Sequence, residues 1–199
     1  MNYQTISNLL VLIALGSCSL VSKCPAQELP AAQPKSFELL SLDGKTETIR
    51  LGEDFEFTVL CFTGVECPLA KLYAPRLVQI AEEFSDRSVG FIGINSNQQD
   101  SLVEFAEFAT RNSIPFKCYK DMDNVVADQF EVKRTPEVVV VDRNGRVKYR
   151  GRIDDQYLPG ISRPQPQRQD LRIALQELTS DQAVSIARTE PDGCLIGRV

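Results

Sequence analysis

The chain has 199 residues, a formal net charge of −5 and 43% hydrophobic residues, which suits one domain with an ordinary core plus a targeting segment. No basic run stands out, which argues against nucleic acid as a partner, since phosphate binding needs clustered Lys and Arg. The absence of histidine excludes a Ser-His or Cys-His catalytic pair within the chain and removes the commonest metal ligand.

Residues 1–26 read as an export signal. Leu9 to Leu15 is an unbroken apolar run, too short to predict a spanning helix. Two cleavage readings stand side by side. Cys24-Pro25-Ala26 can precede cleavage before Gln27, or Leu15-Gly16-Ser17-Cys18 can act as a lipobox with Cys18 lipidated. Membrane anchoring follows only from the second. Either places the protein outside the cytoplasm, in the periplasm or beyond, where disulfides are permitted. Residues 27–35, rich in Pro, Ala and Gln, read as a linker, and residues 36–199 as the folded domain.

Phe37 to Leu42 and Glu47 to Leu51 flank Asp43-Gly44, which predicts an N-terminal hairpin. Phe55 to Phe62 reads as a buried strand. The helix after Cys67 places Leu69, Leu72, Leu77, Ile80 and Phe84 roughly on one face, with a kink expected at Pro75. Val89 to Ile94 is a further strand. Ser101-Leu102-Val103-Glu104 fits a capping box opening a helix to about Arg111. Phe116 to Tyr119 and Asn124 to Phe130 read as a short strand and a short helix. Asn144-Gly145, between Glu137–Val141 and Arg146–Tyr149, is the strongest hairpin signal in the chain. Residues 156–169 read as a loop, Asp170 as the cap of a final helix, and the last fifteen residues as irregular or extended. Strands alternating with helices predict an α/β domain with a partly parallel sheet.

Six cysteines lie at 18, 24, 61, 67, 118 and 194, and none forms a C-x-x-C pair, so a zinc ribbon is not expected. No metal or other cofactor is called for. Cys67 holds the most informative position. It precedes Pro68, which fits the first turn of a helix, and a thiol there faces unpaired N–H groups and the positive end of the helix dipole. Both effects favour the thiolate, which makes Cys67 a candidate nucleophile. Lys71, one turn on, is expected to stabilise the thiolate, and Glu66 to oppose it. Cys61 lies inside an apolar strand and reads as inert core; Cys118 is ambiguous between core and partner thiol. Asp154-Asp155 reads as a salt-bridge pair for Arg150 and Arg152, Asn95-Ser96-Asn97 as a loop or cap with a place lining the site as the alternative, and Tyr73 as helix packing.

The order of these elements, with Cys67 opening the helix after the third strand and Arg134-Thr135-Pro136 just ahead of the closing hairpin, resembles the thioredoxin superfamily, and its redoxins in particular. The likeness runs from about Phe37 to Arg198. Within it, five pieces in order resemble the uncharacterised peroxiredoxin-like proteins. They are Cys67-Pro68 with Lys71 and Tyr73-Ala74, Ile94-Asn95-Ser96-Asn97, Thr135-Pro136, Tyr149-Arg150-Gly151-Arg152-Ile153-Asp154-Asp155, and Gly193-Cys194-x-Ile196. The resemblance implies a thioredoxin-like fold, a central mixed sheet flanked by helices with an N-terminal hairpin extension. It implies a cis Thr135-Pro136 bond beside Cys67, with the backbone there turned outward to pair with a bound peptide. Pro68, Thr135 and Pro136 are the substrate-binding residues it points to.

Some positions depart from the pattern. Ala70 stands where thioredoxins carry their second cysteine, Gly64 where peroxiredoxins carry Thr or Ser, and Cys61 where thioredoxins bury an acid. Without a local partner, an intramolecular disulfide of Cys67 must come from elsewhere. Cys194, after Gly193 in the tail, is the expected resolving partner; the alternative is a free tail cysteine or one that links two chains. The activity expected is thiol–disulfide exchange or thiol-based reduction by Cys67, with protein or small-molecule thiols and disulfides as partners. The alternatives are a thiol peroxidase acting on peroxides, and a non-catalytic binding module with a structural disulfide.

Overall fold

A computed structural model describes residues 34–198. The expected export signal, Cys18 and Cys24, and most of the linker lie outside the described residues.

Seven strands form one sheet in the order β2-β1-β5-β4-β3-β7-β8. The strands are β1 (Ser36–Ser41), β2 (Thr46–Arg50), β3 (Phe57–Phe62), β4 (Val89–Asn95), β5 (Cys118–Lys120), β7 (Glu137–Asp142) and β8 (Val147–Gly151). Between the last helix-linked strand and β7 lies the two-residue β6 (Arg134–Thr135). The central pairs β3–β4 and β4–β5 are parallel. The closing hairpin enters antiparallel, β7 against β3 and β8 against β7. The N-terminal hairpin extends the opposite edge by pairing β1 antiparallel to β5.

Both faces of the sheet are covered, so β3 and β7 are buried along nearly their whole length and read as continuous apolar runs. Alternation assigns Val59 and Cys61 to one face, with α1 (Pro68–Glu83) and α4 (Asp170–Leu178). Leu60 and Phe62 face the other way, toward Val126, Ala127 and Phe130 on and beside α3 (Val125–Gln129). Helix α2 (Leu102–Arg111) packs Phe105 and Phe108 against Ala74 and Cys118.

Helix starts follow local chemistry. The Ser101 capping box is complete: Glu104 N–H donates to Ser101 Oγ at 3.2 Å, and Ser101 N–H to Glu104 Oε2 at 2.8 Å. Gln169, not Asp170, caps α4. Asp170 is instead a buried first-turn residue that accepts from Arg152 Nε and Arg168 Nε, both at 2.8 Å. The buried stripe of α1 also shifts. It carries Ala70, Tyr73, Ala74, Leu77, Ile80 and Ala81, whereas Leu72 is exposed, and the helix runs on through Pro75. The expected loop at 156–169 holds a small hairpin, β9 (Tyr157–Leu158) with β10 (Ile161–Ser162). The tail is ordered too: β11 (Cys194–Leu195) pairs antiparallel with β6.

Asp154 and Asp155 are salt-bridged, but not to the arginines expected. Arg76 from α1 reaches Asp154, and Arg163 lies 3.7 Å from Asp155. Arg150 turns to the buried Glu137 at 2.8 Å, and Arg152 to Asp170. Packing, rather than nearness in the chain, explains the difference. Arg150 and Glu137 sit on the paired strands β8 and β7, while Asp154 has passed beyond the sheet to the N-terminal half of α1, where Tyr73 donates to it at 2.7 Å.

Candidate functional site

Cys67 is the N-cap of α1, and Pro68 fills the first helical position. The turn ahead of it is set by a buried polar cluster. Asp100 Oδ2 accepts from Val65 N–H at 2.8 Å, Asn95 Nδ2 at 2.7 Å and Asn97 Nδ2 at 3.1 Å. Lys120, buried by its neighbours, donates to Asn95 Oδ1 at 2.9 Å. Burial lowers the Lys120 pKa, and the nearby Asp100, Asp121 and Glu104 carboxylates act against that. Gly64 is required here: a Cβ on it would lie 2.3 Å from Asn97 Nδ2 and 3.1 Å from Thr135 Oγ1. Asn95-Ser96-Asn97 is thus the floor of the site as well as a loop. Asp100 and Lys120 are neighbours of the site that sequence reasoning missed. A buried acid just before a capping box gives no sign of its burial.

The Thr135-Pro136 bond is cis, and Cys67 lies against it. The Cys67 thiol donates to the Thr135 carbonyl at 2.9 Å. Thr135 is fully buried, and its hydroxyl has no hydrogen-bond partner.

The chain's own tail covers this point. Cys194 stands opposite Thr135 in the β6–β11 register, the residue whose carbonyl accepts from Cys67, and each of the two thiols shifts the other's acidity. Gly193 makes this approach feasible. Its φ is +147°, and a Cβ there would lie 2.0 Å from the Thr135 carbonyl oxygen. Beyond Cys194, Ile196 N–H donates to Lys133 O at 3.0 Å, Gln98 N–H to Gly197 O at 3.2 Å, and Gly197 N–H to Asn97 Oδ1 at 3.1 Å. The four described cysteines are all thiols.

The thiols differ in acidity. Burial alone would raise the Cys67 pKa. The Cys194 thiol, the N–H groups of Ala70 and Cys194 and the Thr135 hydroxyl outweigh it and hold the sulfur below the ordinary thiol value. Cys194 moves the other way, to about 11, through burial and the neighbouring Cys67. Cys118 is pushed up to about 12 by burial, and Cys61 is raised further by burial and by Cys118. Lys71 does not supply the expected support. Its ammonium lies at the surface, 3.5 Å from Glu66, so the two charges expected to pull Cys67 in opposite directions pair with each other. Among the described residues, no three His, Cys, Asp or Glu side chains converge as a metal site.

A family model described as AhpC/TSA matches residues 28–150. The chain belongs to the AhpC/TSA family. This redoxin is also similar to solved structures across most of its length. A hypothetical protein of Sinorhizobium meliloti superposes with a TM-score of 0.75 at 23% identity, over 84% of this chain and 93% of its own. An uncharacterized conserved protein of Geobacillus kaustophilus gives 0.73 at 27% identity, over 86% and 93%. The thioredoxin domain of a thiol-disulfide oxidoreductase of Bacteroides vulgatus gives 0.56 at 13% identity, over 76% and 98%. These likenesses establish the thioredoxin-like fold of the redoxin. The comparison with curated proteins finds no match.

Proposed function

We propose that this redoxin is an exported thiol–disulfide oxidoreductase whose redox couple is Cys67 and Cys194. The observation that carries the reading is that Cys67 and Cys194 meet at Thr135 beside the cis proline, the Cys67 thiol donating to its carbonyl at 2.9 Å and Cys194 pairing with it in the β6–β11 register. Cys67 is the nucleophile. It is the one described cysteine held below the ordinary thiol pKa, so it is the thiolate nearest neutral pH. Attack by a thiolate on a disulfide sulfur forms one S–S bond and breaks another, expelling a thiolate. When Cys67 attacks a disulfide that includes Cys194, the product is an internal Cys67–Cys194 disulfide, and two electrons leave the protein. Thr135 and Pro136 hold the reacting sulfur in place. Export rests on the apolar run from Leu9 to Leu15, and N-terminal sequencing of protein from its native host tests it.

The deciding experiment equilibrates the reduced protein in glutathione redox buffers and maps disulfides by mass spectrometry. A reversible Cys67–Cys194 bond is expected, together with catalysis of oxidation or reduction of a test protein that is lost in Cys67→Ser. A bridge at other cysteines, or one that never exchanges, overturns the reading and leaves a binding module. Hydrogen peroxide consumption faster than that of free cysteine would move the activity to a thiol peroxidase.

A further inference from the structure

Cys67 and Cys194 are not equally open to an outside partner. Cys67 is 3% exposed. Its thiol donates to the Thr135 carbonyl, and Thr135 is the residue that β11 covers by pairing Cys194 with it. Cys194 itself is exposed, and the next residue, Leu195, is 66% exposed. The β6 backbone that would receive an extended peptide is already paired with β11. The tail is also fastened beyond Cys194 by the Ile196, Gln98 and Gly197 hydrogen bonds. An outside sulfur aimed at Cys67 meets this strand first, whereas Cys194 lies on the exposed strand itself.

We infer that outside thiols and disulfides exchange with this protein at Cys194, while Cys67 acts only on the Cys194 sulfur; this rests on the reading of the two as a redox couple. When the protein oxidises a substrate, a substrate thiolate attacks Cys194 Sγ of the internal disulfide. The new bond joins substrate sulfur to Cys194, the Cys67–Cys194 bond breaks, and Cys67 departs with the electron pair as a thiolate. A second substrate thiolate then attacks the substrate sulfur of this mixed disulfide. It releases a substrate disulfide and Cys194, which takes a proton from solvent. The substrate has lost two electrons and the protein has gained two. In the reverse direction, Cys194 gives its proton to solvent and attacks a substrate disulfide, expelling one substrate thiolate; Cys67 thiolate then attacks this mixed disulfide at Cys194 Sγ and expels the second. Departure of Cys67 is favoured because a thiol of lower pKa is the better leaving group. The substrate class follows from the placement. A sulfur on a surface strand beside an exposed leucine can meet thiols carried on other proteins as well as small ones, which a sulfur under that strand cannot.

The test uses glutathione on the full chain. Oxidised wild-type protein is mixed with reduced glutathione, quenched with acid, alkylated with iodoacetamide and mapped. Glutathione is expected on Cys194 and the alkyl group on Cys67; the opposite placement overturns the inference. If Cys67 recaptures Cys194 too fast for the adduct to be seen, the Cys67→Ser and Cys194→Ser variants are exposed to oxidised glutathione, with circular dichroism confirming their fold. Label on Cys194 of the first is expected to exceed label on Cys67 of the second by about tenfold or more once each is divided by the thiolate fraction from that variant's own alkylation pH profile, since exchange rate follows both access and thiolate fraction. Equal or reversed labelling overturns the inference. A wild-type protein that forms no Cys67–Cys194 disulfide overturns the redox couple itself, so the two failures are distinguishable.

Discussion

At the scale of single residues, the acidity of Cys67 depends on a neighbour 127 positions away in the chain more than on the charged residues beside it. Lys71 and Glu66 neutralise each other at the surface, whereas the Cys194 thiol is the leading group that lowers the Cys67 pKa. Replacing Cys194 therefore separates donor from thiolate. Cys194→Ala is expected to move the midpoint of the Cys67 alkylation profile to higher pH, and Cys194→Ser, which keeps a hydroxyl donor, is expected to move it less. An unchanged midpoint in Cys194→Ala would show that the helix end and Thr135 suffice. The same depression has a sign in stability. A thiol whose folded pKa lies below its unfolded value, near 8.5, stabilises the reduced fold above that unfolded value, and the contribution is lost as pH falls through the folded pKa. Cys194, raised to about 11, works in the opposite sense: its contribution is full below the unfolded thiol value and is lost as pH rises through about 11.

At the scale of elements, the site is a meeting of three chain segments: the β3–α1 turn, the loop after β4, and β6 with the tail. Asp100 ties the first two together, one carboxylate oxygen receiving Val65 N–H, Asn95 and Asn97. Asp100→Ala leaves three buried donors unpaired and is expected to cost about 3 kcal/mol of stability in urea titration. Gly64→Ala is expected to act at the same joint, since its Cβ displaces Asn97 Nδ2. A loss below about 1 kcal/mol for Asp100→Ala would mean that water replaces the carboxylate. Much of this layer was legible in the sequence. Continuous apolar runs marked β3 and β7, Asn144-Gly145 marked their closing hairpin, and Ser101 with Glu104 marked the start of α2. Those signals are local, one residue supporting another within a few positions. Charge partners were not legible, because they are fixed by packing: Arg76 reaches Asp154 across α1, and Arg150 reaches Glu137 across two strands. The thiol pair was half legible. Ala70 ruled out a local partner and Gly193 allowed a turn, but the docking of the tail on Asn97 and Lys133 could be seen only in three dimensions.

At the scale of the whole molecule, the proposed Cys67–Cys194 couple would join the start of α1 to the last strand, which would tie its redox state to the stability of the entire domain. The reduced protein already places Cys194 against Cys67 through β6–β11 pairing and the Asn97 and Lys133 contacts. Closing the bond therefore asks for little rearrangement of the native state, and its main effect falls on the unfolded chain, which loses freedom over a loop of more than 100 residues. In the chain-entropy model such a loop gives a nominal stabilisation near ~4.7 kcal/mol. Oxidation is thus expected to raise the melting temperature by about 10 °C or more, at roughly 2–4 °C per kcal/mol for a domain of this size. Cys194→Ser is expected to show no such response, while Cys118→Ser should keep it, because Cys118 lies in the α1–α2 core, away from the tail. Equal melting of oxidised and reduced wild-type protein would show that the bond strains the docked tail by as much as it restrains the unfolded chain. A response that persists in Cys194→Ser would place the disulfide elsewhere. The size of the shift also bears on function, through linkage: whatever the bond adds to the fold, the fold adds to the bond. A shift near the full nominal value describes a bond that resists reduction, as a structural disulfide does, and a smaller one describes a couple poised for exchange.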